Sequence, residues 1–97
     1  MNKMFWSQVA EDQLEEIATL SSRSPAASKK LVQAIVRRTL HLPANPQLGR
    51  VVPEFGYQQL RELIEQKYRI FYFIGPDYIE MVTVFHSSME LKTSQDD

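Results

Sequence analysis

Apolar residues recur along the chain with two different periods, and the change of period divides the sequence into two parts. From residue 8 to residue 42 they return every three or four positions, which is the period of an amphipathic helix. From residue 60 to residue 86 they form three runs rich in aromatic and β-branched residues, which are typical of strands. The chain has 97 residues. We therefore expect helices followed by strands within a single domain, residues 1–97.

Two helices are predicted in the first part, each with a serine at its start. Ser7 can cap the first helix, whose first turn is acidic, which the helix dipole favours. Ser24 followed by Pro25 forms an N-cap with a first-turn proline, and Pro43 should end the second helix. Residues 4–6 form a short apolar run that predicts an edge strand before the first helix. The predicted buried positions are Ala10, Leu14, Ile17, Ala18, Ala27, Leu31, Ala34, Ile35 and Leu42.

A long connection and three strands are predicted in the second part. Residues 43–59 hold three of the five prolines and two of the three glycines, so they predict an irregular segment, and such long segments are often functional. The strands are LRELIE, KYRIFYFI and YIEMVTVFH, with Gly75-Pro76-Asp77 as a tight turn. This order predicts an α+β fold in which an N-terminal strand and a helical hairpin pack on a twisted antiparallel sheet.

Two polar residues, Arg69 and His86, lie in the most apolar part of the sequence. In alternating strands Arg69 shares a face with Phe71 and Phe73, and His86 shares a face with Val82 and Val84. Because the helices can cover only one face of the sheet, the other face is solvated or is a binding surface. We expect Arg69 to lay its stem over the two phenylalanines with its guanidinium group in water, and His86 to hydrogen bond to the backbone.

Composition excludes several classes of protein. Apolar residues make up 43% and charged residues 24% of the chain, as in an ordinary globular domain, and the net charge of −1 does not suggest a dedicated nucleic-acid binder. There is no cysteine, and the two histidines lack metal-binding spacing, so no metal or cofactor is expected. No apolar run is long enough to span a membrane and the N-terminus lacks the apolar core of a signal peptide, which predicts a cytosolic protein.

Four residues, Glu54, Arg61, Arg69 and His86, have the chemistry needed to cleave RNA without a metal ion. In such cleavage a base removes the proton of the ribose 2′-hydroxyl group, arginines stabilise the phosphorane, and an acid protonates the leaving oxygen. These residue types are common, and their spacing does not show that they converge.

The segments FWSQVAEDQLEEI, LGRVVPEF, LRELI, YRIFYFI and IEMVTVFHSS, in this order and spacing, resemble the RelE/ParE superfamily of bacterial type II toxins, and more closely its ParE-like branch. The resemblance covers most of the chain. It implies a helical hairpin packed on a twisted antiparallel sheet. It also implies a growth inhibitor that is held silent, in a hetero-oligomer, by an antitoxin encoded beside it.

The superfamily divides by activity, and the resemblance assigns roles to several residues. RelE-like members are ribonucleases that cut messenger RNA on the ribosome, whereas ParE-like members act on DNA gyrase. By position, Arg61, Arg69 and His86 match places where ribonuclease members have catalytic side chains, and Glu54 matches a catalytic glutamate. In a gyrase inhibitor Arg61 and Arg69 would instead bind the target. Met89 stands where ParE-like relatives commonly have an arginine.

Three functions therefore remain open. They are a non-catalytic gyrase inhibitor, a ribosome-dependent endoribonuclease, and a degenerate toxin fold that serves only as an antitoxin-binding module. Because phosphate contacts dominate affinity for RNA, a ribosome-directed protein should be basic, and the net charge of −1 favours gyrase. The basic residues of the second helix, Lys29, Lys30, Arg37 and Arg38, predict that the antitoxin contributes a segment rich in apolar and acidic residues.

Overall fold

The chain folds into a helical hairpin packed on a five-stranded sheet, as far as residues 2–20 and 24–89 of the computed structural model describe it. The segment between the two predicted helices, residues 21–23, lies outside these ranges. A 3₁₀ turn at Pro46–Leu48 interrupts the long connection. The elements are β1 (Lys3–Trp6), α1 (Gln8–Leu20), α2 (Pro25–Thr39), β2 (Arg50–Val51), β3 (Leu60–Glu65), β4 (Tyr68–Ile74) and β5 (Tyr78–His86).

The sheet has the strand order β1-β5-β4-β3-β2, and it is mixed rather than wholly antiparallel. Strands β2 to β5 pair antiparallel, but β1 runs parallel to β5, with Lys3 opposite Tyr78 and Trp6 opposite Met81. The tight turns between β3, β4 and β5 impose antiparallel pairing, whereas the helices that follow β1 form a connection long enough for a parallel pair. The α+β class and the helical hairpin packed on a sheet are confirmed. The sheet differs from the antiparallel sheet that was predicted only in its edge strand β1, which pairs parallel with β5.

Both helices begin where the sequence predicts. The Ser7 hydroxyl group accepts a hydrogen bond from the Ala10 N–H group at 3.0 Å and donates one to the Val82 carbonyl oxygen at 2.8 Å. The Ser24 hydroxyl group accepts a hydrogen bond from the Ala27 N–H group at 3.3 Å. Ser7 therefore caps α1 and also ties the start of that helix to β5.

The main core lies between the helical hairpin and one face of the sheet. At its centre the Tyr72 hydroxyl group donates to the Pro46 carbonyl oxygen at 2.7 Å and accepts from the Gly49 N–H group at 2.8 Å, which fixes the 3₁₀ turn to the sheet. Of the predicted helical core positions, Ala27 is exposed and its neighbour Ser28 is buried instead. The buried members of this core are Ile17, Ile35, Leu42, Leu63, Ile70, Tyr72, Ile79, Met81 and Val84.

A bulge in β5 changes which residues share a face. The pairing of β4 with β5 shifts between Phe71 and Tyr72, which leaves Val82 as an extra residue in β5. Val82 packs with Phe71 on the face that points away from α1 and α2, here called the outer face. Val84 packs in the core beneath the helices, and His86 lies on that same side. His86 therefore shares a side with Val84, as predicted, but not with Val82, for which the prediction is wrong.

Within the described parts of the chain, no helix combines the length and the apolar character needed to cross a bilayer.

Candidate functional site

The four candidate residues from the sequence do not form one cluster. Glu54 and Arg69 contact each other on the outer face of the sheet. His86 lies on the opposite side, beside Tyr68 under the helices. Arg61 contacts the segments on either side of β2 through hydrogen bonds to Gln58 and to the Gly49 carbonyl oxygen. The structure thus brings together one acid and one arginine, and it separates them from the histidine.

Arg69 is buried and fully engaged, with 8% of its surface exposed. Its Nη1 and Nη2 atoms donate to the two carboxylate oxygens of Glu54 at 2.7 and 2.8 Å, and its Nε atom donates to Glu62 Oε1 at 2.6 Å. Its guanidinium carbon lies 5.0 Å from the centre of the Phe71 ring and 5.7 Å from that of Phe85. The expectation of a solvated guanidinium group is wrong because the chain after β2 folds back over the outer face.

That fold-back is driven by burial of Val52. Its side chain is fully buried against Phe71 and Phe85, so it attaches the segment to the outer face. The Val52 carbonyl oxygen accepts hydrogen bonds from the N–H groups of Phe55 and Gly56 at 3.2 and 2.9 Å, which closes a tight turn. Gly56 has φ +75°, a left-handed conformation that glycine adopts readily. This turn brings Glu54 to the guanidinium group of Arg69.

A second carboxylate and a second arginine extend the ion pair. Glu62 is fully buried on β3, and its Oε2 atom accepts a hydrogen bond at 2.7 Å from the Nε atom of Arg50, whose side chain is 60% exposed. The four groups alternate in sign, in the order Glu54, Arg69, Glu62 and Arg50, and their formal charges cancel.

Sequence reasoning missed Glu62 and Arg50, although the alternation of the strands contains part of the signal. It places Glu62 on the same face as Arg69 of the neighbouring strand, so the two were candidates for an ion pair.

The contacts between Glu54 and Arg69 shift the pKa values of both groups. Hydrogen bonds from Arg69 lower the pKa of Glu54 to about 2, against partial burial that acts in the other direction. The pKa of Arg69 is raised by its hydrogen bonds to Glu54 and Glu62. Glu54 is therefore ionised at neutral pH and has no proton to give, and a carboxylate of such low pKa is a weak base.

Arg61 holds a turn rather than a carboxylate. Its Nε and Nη2 atoms donate to the carbonyl oxygen and the side-chain oxygen of Gln58 at 3.0 and 2.9 Å, and its Nη1 atom donates to the Gly49 carbonyl oxygen at 3.0 Å. All of these acceptors are uncharged. Among the described residues, Arg61 forms no ion pair, so it adds a net positive charge beside the neutral network.

His86 hydrogen bonds to the backbone as predicted. Its Nδ1 atom accepts a hydrogen bond from the Ser88 N–H group at 3.1 Å and lies 2.7 Å from the Ser88 hydroxyl oxygen. In the neutral ring the proton is therefore on Nε2. The ring meets Tyr68 edge-on with 5.3 Å between centroids. It also lines a cavity of about 310 Å³ with Glu16 and Met89, so Met89 lies next to the histidine.

An exposed aromatic pair follows Glu54 in the connection between β2 and β3. The rings of Phe55 and Tyr57 are nearly parallel, 9° apart, with centroids separated by 6.5 Å, and the two residues are 37% and 63% exposed. Sequence reasoning did not single them out. The available signal is two aromatic residues in a segment rich in proline, glycine and glutamine, where no predicted core needs them.

The basic residues of α2 lie on the surface. Lys29, Arg37 and Arg38 are exposed, and Arg38 is 3.7 Å from Glu65. Arg37 and Arg38 line a surface cavity of about 340 Å³ together with His41, Leu48 and other residues. Their role in binding an antitoxin remains a prediction.

No group of three or more His, Asp or Glu side chains in residues 2–20 and 24–89 is arranged to share a metal ion.

Comparison with known proteins identifies the family. The family model described as ParE toxin of type II toxin-antitoxin system, parDE, matches residues 4–91. No curated protein matches the sequence significantly. Among solved structures, the chromosomal ParDE TA system from P. aeruginosa matches with a TM-score of 0.72 and 19% identity, over 89% of this chain and 96% of that chain, which shows a shared fold. Because the family match extends over nearly the whole sequence, this chain belongs to the ParE toxin family of type II toxin-antitoxin systems.

Proposed function

We propose that this ParE-type toxin inhibits growth by binding DNA gyrase, and that it does so without catalysing a reaction. Membership of the family makes the chain a toxin and implies a cognate antitoxin as its partner. ParE-like toxins act on gyrase, as the resemblance in the sequence implies. The observation that carries the proposal is the separation of His86 from the pair formed by Glu54 and Arg69.

The state of each candidate group also supports binding rather than catalysis. Glu54 is held ionised by Arg69, so it is unsuited to be a general acid. The Nε, Nη1 and Nη2 atoms of Arg69 all donate to carboxylates, and the guanidinium group is buried, so it is poorly placed to stabilise a phosphorane. Arg61 donates its hydrogen bonds to uncharged oxygens of its own chain.

Net charge separates the gyrase proposal from the ribosomal one. A protein that binds ribosomal or messenger RNA gains most of its affinity from contacts between basic side chains and phosphates. This chain has 11 basic and 12 acidic residues, and two of its arginines are neutralised in the ion network. Binding to a protein target does not require an excess of positive charge.

A gyrase supercoiling assay with the purified toxin tests the proposal. We expect the wild-type chain to block supercoiling, and we expect His86→Gln to block it equally, because binding needs no proton transfer. In a ribonuclease the same substitution should lower the rate by roughly a hundredfold or more, as loss of a general acid or base does.

The contrary results are equally clear. Cleavage of messenger RNA on ribosomes by the wild-type chain, abolished by His86→Gln, would replace the gyrase proposal with the ribonuclease. A chain that binds its antitoxin but affects neither supercoiling nor growth would instead be a degenerate toxin fold.

A further inference from the structure

The exposed aromatic pair lies at the tip of a short segment whose two ends are both held by arginines. We call residues 52–59 the aromatic loop. On one side of the tip, Arg69 binds Glu54 through two parallel hydrogen bonds of 2.7 and 2.8 Å. On the other side, Arg61 binds Gln58 through its backbone oxygen and its side chain. The residues at the tip, 55–57, lie directly between these two attachment points.

The backbone of the aromatic loop is fixed by further contacts. The N–H group of Val52 donates to the Leu60 carbonyl oxygen at 3.2 Å, and the N–H group of Leu60 donates to the Tyr57 carbonyl oxygen at 3.1 Å. Val52 itself is fully buried against the outer face. The loop is thus closed at its base and attached to the sheet, so its conformation is set before any partner arrives.

Two stacked rings exposed on an ordered loop lower the stability of an isolated domain, because burial of apolar surface away from water is favourable. Aromatic side chains are the residues that most often carry the binding energy of protein interfaces. A loop that is already ordered loses little further conformational entropy on binding, which improves affinity. The rings of Phe55 and Tyr57 have these properties, and the two arginines supply the order.

The surrounding charges indicate the chemistry of the partner. The four members of the ion network cancel, and Arg61 beside the loop has no ion pair among the described residues. The exposed guanidinium group of Arg50 lies in the strand that precedes the loop. One uncompensated positive charge next to two apolar rings suits an apolar pocket of a protein bordered by carboxylates. A nucleic acid would be better matched by several free basic groups.

We propose that the aromatic loop is the surface by which this toxin binds gyrase, with Phe55 and Tyr57 entering an apolar pocket and Arg61 and Arg69 as positioning residues. The inference rests on the proposed function, since it assigns the surface for that target.

The test uses the toxin separated from its antitoxin, in the supercoiling assay. We expect the double variant Phe55→Ala/Tyr57→Ala to need roughly 30-fold more protein for half-inhibition, the effect of removing one interface hot spot. Phe5→Ala is the matched control, since Phe5 is 47% exposed on β1 at the opposite edge of the sheet, and it should inhibit like the wild type. All variants should keep the melting temperature and antitoxin binding of the wild type. Tyr57→Ala alone is the milder variant if the double change disturbs folding.

A combination of variants tests the positioning role of Arg61. If Arg61 acts only by holding the loop, Arg61→Ala should weaken inhibition in the wild-type background and have little further effect once both rings are removed. Arg61→Lys keeps the charge but not the forked hydrogen bonds, so it should weaken inhibition nearly as much as Arg61→Ala. If Arg61→Ala weakens inhibition by the same factor in the wild type and in the variant without the two rings, then Arg61 contacts gyrase independently. That result would overturn its positioning role.

The remaining outcomes separate the inference from the function. If the wild type and the loop variants inhibit gyrase equally, the inference is wrong and the proposed function stands. If the wild type does not inhibit gyrase, both the inference and the proposed function are wrong.

Loss of antitoxin binding in the loop variants, with inhibition retained, would assign the loop to the antitoxin. Binding of a single-stranded RNA oligonucleotide that the loop variants lose would assign it to RNA, and either result overturns the inference.

Discussion

At the scale of single residues, Arg69 shows how context changes the meaning of a side chain. The alternation of β4 correctly places it with Phe71 on the outer face, because two-residue periodicity is local. Its burial depends on Glu54, 15 positions earlier in the chain, and on a fold-back of the connection. A periodic pattern in one strand contains no information on what a distant loop will place over it, so the pairing of Arg69 with Glu54 could not be predicted.

We predict that Arg69→Ala destabilises the protein by about 3–5 kcal/mol, because it leaves the buried carboxylate of Glu62 with only one partner and frees Glu54 from the outer face. Arg50→Ala also takes one partner from Glu62, but it leaves Arg69 and its pair with Glu54 in place, so it is the milder comparison and should cost about 1–3 kcal/mol. Denaturant unfolding monitored by circular dichroism measures both. Equal losses for the two variants would show that burial of Arg69 does not set its contribution.

At the scale of elements, the sequence predicted the longer elements and missed two short irregularities. Both helices, their serine caps and the strands β1, β3, β4 and β5 follow from apolar runs, periodicity and the positions of proline and glycine. Strand β2 has two residues, too few for any period to be visible. The bulge at Val82 was also missed, since the prediction assumed unbroken alternation along β5.

The bulge is held by Gln13 of α1, which gives a prediction for this pair of elements. The Gln13 side chain donates to the Thr83 hydroxyl oxygen at 2.8 Å, and its oxygen accepts from the Val84 N–H group at 2.7 Å. Gln13→Ala leaves that partly buried N–H group without its acceptor, so we expect a loss of about 1–3 kcal/mol.

Gln8→Ala is the matched control on the same helix. Gln8 is exposed and bonds to Asp12 within α1, so its loss should lower the free energy of unfolding by less than about 0.5 kcal/mol. Hydrogen exchange of the Val84 amide should also accelerate in Gln13→Ala. Unchanged protection there would contradict the role given to Gln13.

At the scale of the whole molecule, the outer face and the end of α2 differ in their balance of charge. The outer face carries a network that cancels, whereas the end of α2 presents Arg37, Arg38 and His41 around a cavity with a single acidic residue, Glu65. The sequence predicted the α2 surface from charge alone, and it is exposed as that prediction required. Binding of the antitoxin at this surface is a prediction.

We predict that Arg37→Glu weakens antitoxin binding by roughly tenfold at low salt, since it replaces an attractive contact with a repulsive one, and that the difference shrinks as salt rises. Titration calorimetry of the toxin with its antitoxin at two ionic strengths measures this. Lys3→Glu, an equal change of charge on β1, is the control. Identical affinities for the two variants would place the antitoxin elsewhere.

The parallel pairing of β1 with β5 also governs when the toxin can become active during synthesis. The Ser7 hydroxyl group donates a hydrogen bond to the Val82 carbonyl oxygen, 75 positions later in the chain. Strand β1 therefore cannot pair until β5 has been synthesised. At a synthesis rate of about 5–20 residues per second, that wait is on the order of 4–15 s. Phe85 of β5 also forms part of the surface that receives Val52, so the aromatic loop settles only after β5 is made. A nascent chain that has not yet reached β5 therefore lacks its proposed binding surface, and inhibition can begin only after this last strand has left the ribosome.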